Sequence, residues 1–407
     1  MTLPVRRSGI DPAFIVILAG VSAALHVGKL PAALPALRAA MDISLLQAGF
    51  LMSLVQLAGM TLGLASGLAA DSLGLRRSMG AGLLILAVAG ALGGLAHDAT
   101  SLLCLRAVEG FGVLLATMPA PSLIRRLVQP ARLASMLGLW GAYMPLGTSL
   151  ALLAGPLVIA VASWQIWWWL IAVLSLAMAI WLQTVPPDEP FRARRARAAS
   201  EDDVSPWRTR LKLTLSSRGP WLVALTFAMY SGQWLAVVGF LPSIYAQAGL
   251  SGAATGVLTA VAAAVNMIGN ITAGRLLQRG YEPSSLLTAG FVAMTVGTVV
   301  AFAWTGSLTI PPSLRYLAVL MFSMVGGMIP GTLFSLAVRL APSERTVSTT
   351  VGWMQQCSAV GQFAGPPLVA WVATRVGGWE WTWVVTGACS ACGIFLAAKL
   401  RQMMRSH

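Results

Sequence analysis

His26 and Lys29 stand three residues apart in one long apolar run, and Arg106 and Glu109 stand three apart in another. Residues at this spacing share a helix face, so each pair would present its polar heads together. An ionisable group inside a lipid-buried helix costs several kcal/mol and is a functional candidate by default. The chemistry on offer is recognition of charge and movement of protons. Lys29 would act as a point charge and Arg106 as a planar fork suited to a carboxylate. Of the 13 acids, Glu109 is the one placed deep in an apolar run. Histidine titrates nearer neutral pH, so Glu109 and His26 are the candidates for carrying a proton. Plainer readings stand beside these: an ion pair of Arg106 with Glu109 that only holds helices together, and a Lys29 that reaches for the membrane surface.

Uncharged polar residues also recur at helical spacing. Tyr230 and Gln233 are three apart, Asn266 and Asn270 four apart, and Gln355, Gln356 and Gln362 share one later segment. Tyr143 lies one turn from Trp140. Such groups either bond across helices or touch a solute, and both readings stay open. Enzyme chemistry has little to work with. The three histidines, His26, His97 and His407, are scattered, and no G-x4-G-K-[ST] phosphate loop occurs. Cys104, Cys357, Cys389 and Cys392 all fall in apolar runs without further metal ligands nearby. No catalytic residue, metal or cofactor is therefore expected.

The elements that must hold these groups are membrane helices. The chain has 407 residues with 10% charged, where a soluble protein carries about 25%. A spanning helix needs roughly 20 apolar residues. Twelve spans fit: 12–34, 45–69, 79–97, 100–122, 134–160 and 164–185, then 219–245, 252–277, 284–306, 313–338, 347–373 and 379–400. The expected class is an all-α polytopic membrane protein of two six-helix halves, residues 1–185 and 219–407. Between them lies a solvated linker, 186–218, with Arg192, Arg194, Arg195 and Arg197 followed by Glu201, Asp202 and Asp203. An internal repeat supports the halves. Gly138 and Gly147 in the fifth span match Gly352 and Gly361 in the eleventh, and each span ends near a tryptophan cluster.

The net charge of +14 is spread between apolar runs rather than gathered into a nucleic-acid patch. With both termini in the cytoplasm, 22 of the 27 basic residues fall on that side, as the positive-inside rule requires. A bacterial inner-membrane protein acting as a monomer is expected, with the lipid bilayer and a small solute as its partners. The longest loop, about 33 residues, leaves no room for a sensor domain of ordinary size.

One stretch joins the second and third spans: Gly67-Leu68-Ala69-Ala70-Asp71-Ser72-Leu73-Gly74-Leu75-Arg76-Arg77. It resembles the signature loop of the major facilitator superfamily. Arg106-Ala107-Val108-Glu109-Gly110-Phe111-Gly112 is similar to that superfamily's fourth-helix pattern. A weaker likeness, through Met118-Pro119, Lys29-Leu30-Pro31 and Phe240 to Tyr245, points to its cyanate and nitroimidazole permease branch. The resemblance implies a secondary transporter working by alternating access, with the first and fourth helices at a central cavity. It implies gating residues Gly67, Asp71, Gly74, Arg76 and Arg77, with Asp71 clasping the start of the eleventh helix near Ser348 and Thr349. The second-half copy, Gly274 to Gly280, has Gln278 where Asp71 stands, so a one-sided clasp is expected.

Substrate contacts are expected from Lys29, His26, Arg106, Tyr143, Tyr230, Gln233, Asn266, Asn270, Gln355 and Gln356. The cargo expected from these groups is a small polar anion, carboxylate-like or inorganic, with protons as a second cargo in symport. The alternative is an efflux pump exchanging a drug or metabolite for protons.

Overall fold

In the computed structural model, residues 10–64, 74–185, 207–303 and 310–405 are described. Gly67 and Asp71, and the linker up to residue 206, lie outside the described residues.

The first half is built from α1 (Pro12–Met41), α2 (Leu45–Leu64), α3 (Leu75–Gly93), α4 (Ala99–Leu127), α5 (Pro130–Gly141 and Tyr143–Val161) and α6 (Trp164–Leu182). A short α7 (Trp207–Ser216) leads into the second half. That half comprises α8 (Arg218–Gln247), α9 (Gly252–Gln278), α10 (Pro283–Phe302), α11 (Pro312–Arg339), α12 (Val347–Val376) and α13 (Thr382–Arg405). Among the described residues each of the twelve expected spans holds a helix, and α7 makes the last part of the expected linker a helix as well.

Local sequence starts these helices. Asp11, Ser44, Asp98, Ser163 and Ser251 each accept an N–H of the first turn, which satisfies donors that a helix start leaves orphaned. Ser101 holds the exposed Asp98 carboxyl below its ordinary value, first through its hydroxyl and then through its N–H. Gly74 opens α3 at φ 89°, a left-handed geometry that a side chain would strain.

α1 and α8 are central. Of their most apolar stretches 89% and 83% is buried, against 28% for α13. Their burial explains why α1 runs on past Pro31 and Pro35, which membrane helices tolerate when neighbours satisfy the freed backbone groups. The outer helices instead expose apolar side chains, among them Val88, Val161, Val173, Ile180 and Phe395. That surface suits lipid, and the chain is an integral membrane protein. Among the described residues, eleven helical segments are long and apolar enough to cross a membrane. α12 is as long, at 30 residues, but carries Gln355, Gln356 and Gln362.

Small residues set the closest approaches. Gly361 of α12 lies on the Ala228 carbonyl of α8, and Gly365 on the Gly232 carbonyl. Gly147 of α5 lies on Val21 and Ala24 of α1, and Gly28 of α1 on Thr148 of α5. The same pairing thus occurs once in each half.

Interruptions also repeat. α2 passes through a 3-10 turn at Leu54–Gln56 and its counterpart α9 breaks at Val265. α4 breaks at Met118-Pro119 and its counterpart α11 at Gly327. Between the halves, Gly49 of α2 packs on Pro366 and Pro367 of α12, and Ser149 of α5 donates to the Ala260 carbonyl of α9 at 2.9 Å.

Candidate functional site

The pairs in α1 and α4 converge. Glu109 accepts from Lys29 at one carboxylate oxygen and from Arg106 at the other. His26 places Nδ1 3.3 Å from Glu109 and 3.1 Å from the Lys29 ammonium. Its Nε2 lies 2.9 Å from the Ser175 hydroxyl of α6, which in turn lies 3.2 Å from Ser22. Arg106 also donates through Nη1 to the His26 carbonyl at 2.8 Å and through Nε to the Leu51 carbonyl at 3.2 Å. One cluster therefore ties together α1, α2, α4 and α6.

All four ionisable groups are 0–1% exposed. Trp168 of α6 covers the Lys29 ammonium at 4.8 Å, a cation–π contact strengthened by the absence of water. Two basic side chains face one carboxylate, and Arg106 Nη2 is buried without a hydrogen-bond partner among the described residues. A buried charge is stable only while it is paired. Changing the state of Glu109 therefore changes what Lys29 and Arg106 require. The geometry contains both the Arg106–Glu109 ion pair and a Lys29 turned inward onto the same acid.

The second half gathers neutral groups. Asn266, at the start of the second piece of α9, donates to the Tyr230 hydroxyl and to the Ser323 carbonyl, each at 2.9 Å. Asn270 donates to the Asn266 side chain at 3.1 Å. Gln233 accepts from Ser390 of α13 at 3.1 Å and donates to Met229. Tyr143 stacks on Trp140 with ring centroids 4.2 Å apart. Gln355 is half-buried on α12.

Gln356 bridges the halves. It accepts from Leu64 N–H at 3.0 Å and donates to the Met60 carbonyl at 2.9 Å. Gln362 accepts from Gln56 of α2 at 3.0 Å. Near the loop, Arg76 donates to the carbonyls of Gln183 and Val185 at 3.1 and 2.6 Å, closing the end of α6. Arg77 is exposed.

The chain matches the profile of the Major Facilitator Superfamily over residues 13–355. It belongs to that superfamily. A curated relative, the hexuronate transporter of Bacillus subtilis (strain 168), is 21% identical over 384 residues, covering 91% of this chain and 89% of the relative. Two solved structures share the fold. One is a bacterial homolog of the human lysosomal transporter Spinster in an inward-facing and occupied conformation, with a TM-score of 0.74, 15% identity and 98% of both chains covered. The other is a variant of the nucleoside transporter NupG, with a TM-score of 0.74, 14% identity, and 96% and 99% of the two chains covered. These relatives are transporters, not enzymes.

Within this superfamily member, sequence reasoning missed Ser175, Ser22, Trp168 and Gln56. The signal for Ser175 was a polar side chain alone between apolar neighbours, whereas Gln56 shares its run with Gln47, Ser53 and Thr61. Nothing in the sequence marked Trp168 among its neighbours Trp167 and Trp169.

Proposed function

We propose that the protein is a secondary active transporter that moves a small carboxylate-bearing anion together with a proton by alternating access. The observation that carries this reading is the shared carboxylate of Glu109, which holds Lys29 and Arg106 in one buried cluster. While Glu109 is ionised, both cations are satisfied. A proton on Glu109 removes that charge and leaves Lys29 and Arg106 in need of an anion. The flexible Lys29 stem then turns from Glu109 to the solute carboxylate, with the Arg106 fork behind it. Proton and anion binding become linked, each favouring the other. His26, within reach of both Glu109 and Ser175, is the second proton carrier.

Tyr143, Tyr230, Gln233, Asn266, Asn270, Gln355 and Gln356 supply neutral contacts for the rest of the solute. A sugar acid, with one carboxylate and several hydroxyls, fits such a set, and a hexuronate transporter is among the relatives. The six-helix halves, residues 1–185 and 219–407, rock about the site while the intervening linker joins them. Gly67, Asp71, Gly74, Arg76 and Arg77 latch one face. The distribution of basic residues supports a cytoplasmic position for that face and both termini, in a bacterial inner membrane. The cluster lies within one half, so a monomer suffices.

The test is thermal stabilisation of the purified protein by a panel of glucuronate, galacturonate, smaller carboxylates and inorganic anions, since a ligand stabilises the state it binds. Stabilisation by at least one carboxylate, followed by its pH-dependent uptake into proteoliposomes, is the expected result. Stabilisation by cationic amphiphiles alone would overturn the anion reading and favour efflux.

A further inference from the structure

We propose a second anion site, at the mouth between the two halves where α1 and α8 end. A cavity of about 250 Å³ lies there, lined by Pro35 and Arg38 of α1 and by Ser243, Ala246 and Gln247 of α8. That volume falls just below the roughly 300–1,000 Å³ of pockets for drug-sized ligands, so it suits a small ion.

The polar groups on its wall are arranged to donate. Ser243 is 3% exposed, and its hydroxyl has no hydrogen-bond partner among the described residues. Some helix hydroxyls return to their own backbone, as Thr226 does to Leu222 and Thr298 to Met294, while Ser243, like Thr148 and Thr255, does not. A buried hydroxyl without a partner calls for one. Arg38 is fixed through Nε, which donates to the Ile43 carbonyl at 3.1 Å, and that contact leaves the Nη groups to the cavity. Gln247 accepts from Trp379 at 2.9 Å, which leaves its amide N–H groups as donors. Among the described residues no carboxylate lines the cavity. A guanidinium, a hydroxyl and an amide without an acid between them form a site for a carboxylate or a phosphate.

The placement adds weight. Lys29, Arg38, Arg106, Arg315 and Arg375 are the basic residues outside the cytoplasmic segments. Lys29 and Arg106 are in the buried cluster, Arg315 donates to the Ala301 carbonyl, and Arg375 sits over Trp371. Arg38 lines the cavity, with α1 of one half on one side and α8 of the other half opposite. An anion held there joins the halves, so its occupancy opposes their separation at this end. The site deepens the anion reading above by giving the solute a first stop before the buried cluster.

The site is testable without transport. In a background whose four native cysteines are serines, Gln247→Cys is labelled with a negatively charged sulfonatoethyl or a positively charged trimethylammonioethyl methanethiosulfonate. Local positive potential raises the rate for an opposite charge. The anionic reagent should react about tenfold faster, relative to the cationic one, than in the Arg38→Gln version. Glucuronate or inorganic phosphate should slow it, and the preference should fade as salt shortens the Debye length. The salt dependence is read on Gln247→Cys alone, so a failure of Arg38→Gln to fold does not remove the test. A rate ratio unchanged by Arg38→Gln, rates indifferent to salt, or no protection by either anion would overturn the proposal. A charge-selective mouth in a protein that transports no anion would sink the proposed function and leave this site standing.

Discussion

Gln356 and Leu64 belong to different halves, yet the Gln356 side chain accepts the Leu64 N–H at 3.0 Å. The same amide donates to Met60, so one residue of α12 caps the last turn of α2. Each such hydrogen bond contributes about 0.5–1.5 kcal/mol net. Gln356→Ala should therefore weaken the α2–α12 contact and shift the population of states several-fold. Spin-label distances between the ends of α2 and α12 measure this; an unchanged distance distribution would assign the contact no part in gating.

Glu109→Gln removes the single carboxylate among two cations. Removing one partner of a buried ion pair costs about 3–5 kcal/mol, so the thermal midpoint should fall markedly and pH-dependent uptake should disappear. The double variant Glu109→Gln with Lys29→Met deletes one stranded charge and should recover part of that loss. Simple additivity in the melting data would contradict a shared network.

Lys29→Ala should be better tolerated by the fold than Glu109→Gln, because Glu109 keeps Arg106 and His26. Carboxylate uptake should nevertheless fall at least about tenfold if the lysine contributes one charge-assisted bond of about 1.5–3 kcal/mol to the bound solute. Normal uptake would leave Lys29 a structural counter-ion.

Asp98 offers a pH test outside the membrane. Its folded-state value is depressed by Ser101, so its contribution is complete above the unfolded carboxylate value of about 3.9. That contribution is lost as pH falls through the lower folded value. Asp98→Ala should lower the thermal midpoint at neutral pH, and Asp98→Asn, which keeps a capping oxygen, should lower it less. The gap between wild type and Asp98→Asn should close on acidification. A gap independent of pH would remove the charge from the explanation.

Gly361→Val places a branched side chain against the Ala228 carbonyl, where the backbones of α12 and α8 meet closely. The α8–α12 pair should separate and the yield of folded protein should collapse. Gly138→Val, at a position where an added Cβ meets nothing within 4 Å among the described residues, is the matched control and should fold.

Long apolar runs made the helices legible, because nothing but a helix can carry twenty apolar residues through lipid. Their ends were less so. α1 was expected to stop at 34 and runs to Met41, since burial against its neighbours outweighs the two prolines that suggested an earlier end. The glycine spacing of the eleventh span was readable as packing, and Gly361 and Gly365 do lie on α8. In the cluster, each charge pair was visible from its own spacing. That α1 and α4 bring the pairs onto one carboxylate, and that Ser175 closes the group, depends on helix rotation, which no local spacing encodes. The break at Val265 has no proline nearby and came only with the structure, whereas the break at Ala142 lies just before Pro145, which cannot donate to the Gly141 carbonyl.

The breaks in α9 and α11 have a mechanical consequence. Gly327 lies on the Asn266 carbonyl and Gly269 on the Met324 carbonyl, so the two interruptions bear on each other, backbone to backbone. Neither helix can flex at its break without displacing the other. The pair has one shared degree of freedom where separate helices would have two, and Asn266, bonded to Tyr230, stands at its pivot. A solute that pulls on that asparagine would turn both levers in a single stroke.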